Sequence, residues 1–232
     1  MPEIEIVLVE PLYEGNIGFV ARVMKNFGFS RLVLINPPDI GDEAIARAAH
    51  AQDILAGAER RSLQEVIERS NLLVATTGEV SKSICTSIRM PYYTPGEIRE
   101  KIQNHSGKIA ILFGRENWGL SNEEIRKCDL ICTIPTSADY PIVNISHAVA
   151  IVCYELAHLP RGTYPLANRQ ELDSFYSHLD AFLDRIEHPD FKRENTLVML
   201  RRIFSRAGLT PREVSTLHGL LRRTEWHLDN KE

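Results

Sequence analysis

IAILFGRENWGL, residues 109–120, begins with five apolar residues in a row and then shows no apolar alternation. A short unbroken run such as Ile109–Phe113 is the pattern of a strand covered on both faces, as in a parallel sheet. Gly114, Arg115, Glu116, Asn117, Trp118 and Gly119 then read as a loop leaving the carboxyl end of that strand. Ser121 is placed to cap a following helix, SNEEIRKC, with Glu123 and Glu124 in its first turn. Open α/β sheets bind ligands just outside the carboxyl ends of their strands. The two glycines are expected to let a ligand approach the backbone, with an acid and a base beside them.

The rest of the chain repeats this alternation. Ile4–Val9, Leu32–Ile35, Leu72–Ala75 and Leu130–Ile134 are further buried-strand runs, and Thr76-Thr77-Gly78 follows the third of them. Helices are predicted from about Asn16 to Gly28, Asp42 to Ala56, Leu63 to Arg69, from Pro95 onward, and Asn144 to Leu159. On the first helix Gly18 lies one turn below Arg22, which predicts open space beside the arginine stem. Residues 79–93 lack a period, carry Lys82 and Arg89, and read as a partly basic loop. Strands alternating with helices imply an α/β domain with a mostly parallel sheet over 1–159. Residues 160–168 read as a linker, and 169–232 as a helical extension without strands.

Composition narrows the function. With 44% hydrophobic and 25% charged residues over 232 positions, the chain has an ordinary globular make-up. No apolar run approaches a membrane span and no signal-peptide pattern opens the sequence, so a cytoplasmic protein is expected. Residues 1–159 hold 15 Lys+Arg against 20 Asp+Glu, so RNA binding would need local patches rather than a basic arm. Cys85, Cys128, Cys132 and Cys153 have no CxxC spacing and read as reduced structural thiols. His147 and His158 read as surface or satisfied core residues, and no motif calls for a metal. GxGxxG, phosphate-loop, HExxH and GxSxG patterns are all missing.

What remains is three small-residue loops after three strands: Thr76–Gly78, Gly114–Gly119 and Ile134–Asn144. Together they suggest one pocket built largely of backbone groups, suited to a neutral heterocycle with an amino-acid-like tail. The set Asn16-Ile17-Gly18-x-x-x-Arg22, Phe113-Gly114-Arg115-Glu116-x-x-Gly119-Leu120 and Ile134-Pro135 through Val143-Asn144-Ile145-Ser146-x-Ala148-Val149-Ala150 resembles the three motifs of the SPOUT superfamily of RNA methyltransferases. More narrowly it is similar to the TrmJ-type tRNA 2′-O-methyltransferases, over the whole chain including the extension with RRIFSRAG.

The resemblance implies a trefoil knot in the carboxyl-terminal part of the α/β domain, S-adenosylmethionine as methyl donor, a homodimer, and tRNA as substrate at ribose 32 of the anticodon loop. A ribosomal-RNA 2′-O-methyltransferase and a catalytically silent RNA-binding dimer are the alternatives. By motif position Thr76, Thr77, Gly78, Gly114, Ile134, Ile142, Val143 and Asn144 would line the cofactor pocket, while Arg22, Asn16 and Glu116 would serve catalysis. Guanidinium stays protonated, so Arg22 is expected to grip phosphate and stabilise the developing alkoxide rather than act as base. Ile142 stands where the third motif often has serine, so no role of that hydroxyl carries over. Arg201, Arg202, Arg206, Arg222 and Arg223 form the candidate phosphate-contacting set, against the plainer reading of a solvated helix face. Trp118 is open between packing, interface and base stacking.

Overall fold

The chain is described from a computed structural model covering residues 2–78, 88–157 and 165–230. Lys82, Cys85, His158 and linker residues 160–164 lie outside the described residues. The α/β domain runs β1 (Glu3–Val9), α1 (Glu14–Asn26), β2 (Arg31–Ile35), α2 (Asp42–Ala48), a 3-10 turn (Ala49–Ala51), α3 (Gln52–Ala56), β3 (Glu59–Arg60), α4 (Leu63–Arg69) and β4 (Leu72–Thr76). It continues through β5 (Tyr92–Tyr93), α5 (Pro95–Ile102), β6 (Lys108–Phe113), α6 (Asn122–Arg126), β7 (Leu130–Cys132) and α7 (Ile145–Leu156). The extension is α8 (Arg169–Arg185), α9 (Asp190–Ala207) and α10 (Pro211–Asp229).

The strand order is β3-β2-β1-β6-β4-β7-β5, with every pairing parallel. Each central strand sends alternate side chains to two cores, which is why its sequence is mostly apolar; buried Glu5 in β1 is paired with Arg61 (3.2 Å). Ile4, Ile6, Leu8, Ile109, Ile111 and Phe113 face a core closed by α1 and α7. Val7, Val9, Leu73, Ala75, Ala110 and Leu112 face the other, closed by α4 and α6. One expected element is adjusted and two short strands are added. The helix expected over 42–56 breaks at Ala49, whose φ of 52° cannot continue it. The two-residue edge strands β3 and β5 are too short for any sequence period to reveal.

Gly18 does not leave space beside Arg22, because α2 fills it. A Cβ on Gly18 would lie 2.2 Å from the Ala44 carbonyl oxygen, so glycine is what allows α1 and α2 to touch.

The extension has a core of its own around Phe175, Tyr176, Leu179 and Val214. It docks at the amino-terminal ends of the strands. Asn71 Nδ2 donates to the Ala167 carbonyl (3.2 Å), and buried Asp129 accepts from Leu73 N–H (2.8 Å) with Arg169 Nη1 at 3.7 Å. Arg202, one of the candidate RNA contacts, is buried here with Nη1 donating to the Met90 carbonyl. It is an anchor between the two units and leaves the phosphate-contacting set.

His105 sits in the same seam, buried, with Nε2 3.1 Å from where a Cβ on Gly208 would stand. Burial pushes its pKa down from 6.5 to about 4. The folded protein therefore holds the neutral ring. Its contribution is complete above pH 6.5 and is lost as pH falls from 6.5 to 4, at about 3 kcal/mol in total. Urea unfolding of the wild type and of His105→Leu at pH 7 and pH 4.5 checks this, since the variant is expected to lose less stability on acidification.

Candidate active site

β6, β4 and β7 are neighbours in the sheet, so the three loops that follow them meet at one end. They enclose a cavity of about 550 Å³. All eight residues expected to hold a cofactor, Thr76, Thr77, Gly78, Gly114, Ile134, Ile142, Val143 and Asn144, lie on its wall, with Glu116 and Trp118 beside them. The floor is fixed by the sheet: Thr76 Oγ1 donates to the Leu112 carbonyl (2.9 Å), and Thr77 N–H donates to the Cys132 carbonyl (2.9 Å). Asn144 caps α7, its Oδ1 accepting from Ser146 N–H (2.9 Å) and Ser146 Oγ (2.7 Å). Capping thus holds the last loop against the cavity.

The loop after β6 closes on itself. Arg115 N–H donates to the Gly119 carbonyl (3.2 Å), and Gly119 N–H donates back to the Arg115 carbonyl (2.9 Å). Gly119 has φ of +70°, and a Cβ on Gly114 would stand 2.1 Å from the Gly119 carbonyl carbon. Gly114 is therefore required by the loop's own backbone, a constraint that the sequence expectation did not include.

Arg115 is buried and forks onto Glu124, Nη1 and Nη2 each 3.0 Å from a carboxylate oxygen, while Nε donates to Glu10 Oε2 at 2.8 Å. Burial would raise the Glu124 carboxyl, but the Arg115 fork and the Ser121 amide outweigh it and hold the pKa below the ordinary carboxylate range. The Glu124 side chain also receives Ser121 N–H at 2.7 Å in a capping box. Arg115 and Glu124 thus lock the loop to α6. The capping signal Ser121-x-x-Glu124 was visible in the sequence, but nothing linked it to Arg115.

Glu116 pairs with neither Arg115 nor Arg22. Its Oε1 accepts from Asn16 Nδ2 and its Oε2 from Leu12 N–H, both at 2.8 Å. Asn144 Nδ2 lies 3.4 Å from Asn16 Oδ1. Three residues, one from each motif, thus meet in one network at the cavity edge. Arg22 stands apart. It is exposed on α1, has no partner among the described residues, and is not on the cavity wall.

Cys128, Cys132 and Cys153 are free and buried, and burial pushes Cys132 and Cys153 up to about 12, which keeps them as inert thiols. Among the described residues no group of three His, Cys, Asp or Glu could hold a metal ion, and no helix is long and apolar enough to cross a membrane.

The wall suits S-adenosylmethionine. A cavity of this size is in the range for ligands of that class. Phe113, Leu120, Ile134, Ile142, Val143 and Ala148 offer an apolar face, and no lysine among the described residues lines it as a polyphosphate would need.

Comparison with known proteins agrees with this geometry. The SpoU rRNA methylase family matches residues 3–154, and the C-terminal domain of tRNA methyltransferase TrmJ matches residues 170–232. The chain is 37% identical to a tRNA (cytidine-2′-O-)-methyltransferase TrmJ of Methanocaldococcus jannaschii, over 92% of this chain and 96% of that one. It is 35% identical to a tRNA (cytidine/uridine-2′-O-)-methyltransferase TrmJ of Pectobacterium atrosepticum, over 95% and 96% respectively. The crystal structure of TrmJ from Z. mobilis superposes with a TM-score of 0.72 at 29% identity, covering 97% of this chain and 99% of that chain. With matches along its full length, the chain belongs to the SpoU methylase family of enzymes and, within it, to the TrmJ-type methyltransferases.

Proposed function

We propose that this enzyme transfers a methyl group from S-adenosylmethionine to a ribose 2′-hydroxyl of tRNA, at position 32 of the anticodon loop, as a knotted homodimer. The observation that carries the reading is the meeting of Asn16, Glu116 and Asn144 beside a cavity that fits the donor. Relatives named as tRNA 2′-O-methyltransferases over nearly the whole chain support tRNA ribose as the acceptor. The exposed stripe His147, Ile151 and Tyr154 on α7, at helical spacing on an otherwise buried helix, supports a second copy packing there.

When bound, S-adenosylmethionine supplies an electrophilic methyl group. The protein's part is alignment and charge stabilisation. Glu116, with both oxygens already accepting hydrogen bonds, braces the loop after β1 against the loop after β6 and so positions Asn16. Arg22 grips the acceptor phosphate and stabilises the oxygen as it loses its proton to water. The deciding experiment is transfer of labelled methyl from S-adenosylmethionine to whole tRNA with nuclease mapping of the product. Label on a 2′-O-methylated nucleotide 32 is expected, and label only in ribosomal RNA would replace tRNA as the substrate.

Arg222 and Arg223 are exposed on α10 and have no partner among the described residues, so they are the strongest phosphate contacts of the extension. Arg206 is half-buried, and Arg201 is turned inward, its guanidinium 4.5 Å from the Tyr176 ring centre. Replacing Arg222 and Arg223 by alanine is expected to lower the slope of log affinity for tRNA against log salt by about one per residue. Filter binding from 50 to 300 mM salt, on the order of the range where such slopes are read, measures it.

A further inference from the structure

The indole of Trp118 is fixed on one side and open on the other. The Arg115 guanidinium carbon lies 3.9 Å from its ring centre. That guanidinium cannot drift, because Glu124 and Glu10 hold it in three hydrogen bonds and its side chain is buried. Trp118 is nevertheless 56% exposed while lining the cavity, so its free surface is at the cavity mouth. Packing does not explain a large indole held this way. A guanidinium brace on one face leaves a rigid aromatic plate whose other face has no partner among the described residues. On the same cavity wall Tyr140 is 81% exposed and Ile142 50% exposed, the latter in place of the usual motif serine.

We propose that Trp118 is a stacking platform for a nucleobase of the RNA substrate, and that Arg115 is the positioning residue that holds the plate flat. The inference rests on the RNA methyltransferase reading above and names a residue that orders the acceptor. A base stacked on the indole brings its own ribose to the cavity mouth, where the methyl group is presented. Stacking uses the π-face that every base has, so the platform tolerates either pyrimidine and reads no Watson–Crick edge.

The chain has two tryptophans, so Trp226→Phe leaves Trp118 as the only indole reporter. Titration of that variant with an anticodon stem-loop RNA is expected to quench its emission. Trp118→Ala is expected to weaken RNA binding about tenfold, while Trp118→Phe keeps most of the RNA affinity. Sedimentation of Trp118→Ala is expected to match the wild type. Emission unmoved by saturating RNA, equal RNA affinity in Trp118→Ala, or a change of oligomeric state in that variant would each overturn the platform. A wild type that neither binds nor methylates tRNA would overturn the functional reading itself, and the platform with it. A wild type that methylates tRNA while Trp118→Ala binds it equally well would remove the platform alone.

Discussion

Arg22→Ala is expected to lower kcat by about 100- to 1,000-fold, the scale lost when a single group that stabilises a developing oxyanion is removed. The cofactor's dissociation constant is expected to move by no more than about twofold, since a group that acts only in the transition state contributes little to donor binding. The structure makes this separation sharp. Arg22 lies outside the cavity wall and outside the network of Asn16, Glu116 and Asn144. It is six residues beyond Asn16 on α1, about 9 Å along the helix at 1.5 Å per residue. It is also a cation with no carboxylate to neutralise it among the described residues, which leaves its fork free for a phosphate. Arg22→Lys keeps the charge and loses the paired donors, so an intermediate rate is expected. Single-turnover transfer and calorimetric titration with S-adenosylhomocysteine read the two effects apart. Near-normal turnover in the alanine variant would end the role, and lost donor binding would make Arg22 structural.

The same contrast shows what sequence carries and what it does not. The doubly covered strands were legible because each is a largely apolar run, broken in β1 only by Glu5, and Ser121, Asn144 and Pro95 mark helix starts where the caps are found. The three loops could be suspected of meeting because each follows a strand. That they do meet depends on β6, β4 and β7 being neighbours, an order no local pattern contains. Partners of charged side chains were the weakest part of the reading. Glu116 follows Arg115 directly in the sequence, yet it accepts from Leu12 and Asn16, about a hundred positions away (|i−j| of 104 and 100). Arg202 sits in a run of basic residues that reads as a solvated face, yet its helix turns that side chain into the seam between the two units. Burial of a charge is decided by docking, and docking leaves no signature in a composition window.

Gly114→Ala is expected to be the most damaging single substitution in the cavity, and Gly78→Ala to be mild, although both replace motif glycines. Around Gly114 the new methyl would stand 2.1 Å from the Gly119 carbonyl carbon and 2.3 Å from the Leu120 nitrogen. Those are backbone atoms, clamped by the paired Arg115 and Gly119 hydrogen bonds and by the Arg115–Glu124 fork. The loop must open to accept the methyl, at a cost near the upper end of overpacking, about 3 kcal/mol. Opening it moves a wall of the cavity, so donor affinity is expected to fall on the order of 100-fold, by the rule of tenfold per 1.4 kcal/mol. Around Gly78 the one tight contact among the described residues would be Ile142 Cδ1, at 2.8 Å, the far end of a side chain that is half in solvent and can turn away, with the Pro141 carbonyl at an ordinary 3.7 Å. A loss of less than about threefold is expected there, matching the small cost of a rotamer change. Donor titration of the two variants beside thermal unfolding tests the pair. Equal losses would mean that the loop after β6 yields as easily as a side chain, and that its closure on itself is not what shapes the cavity.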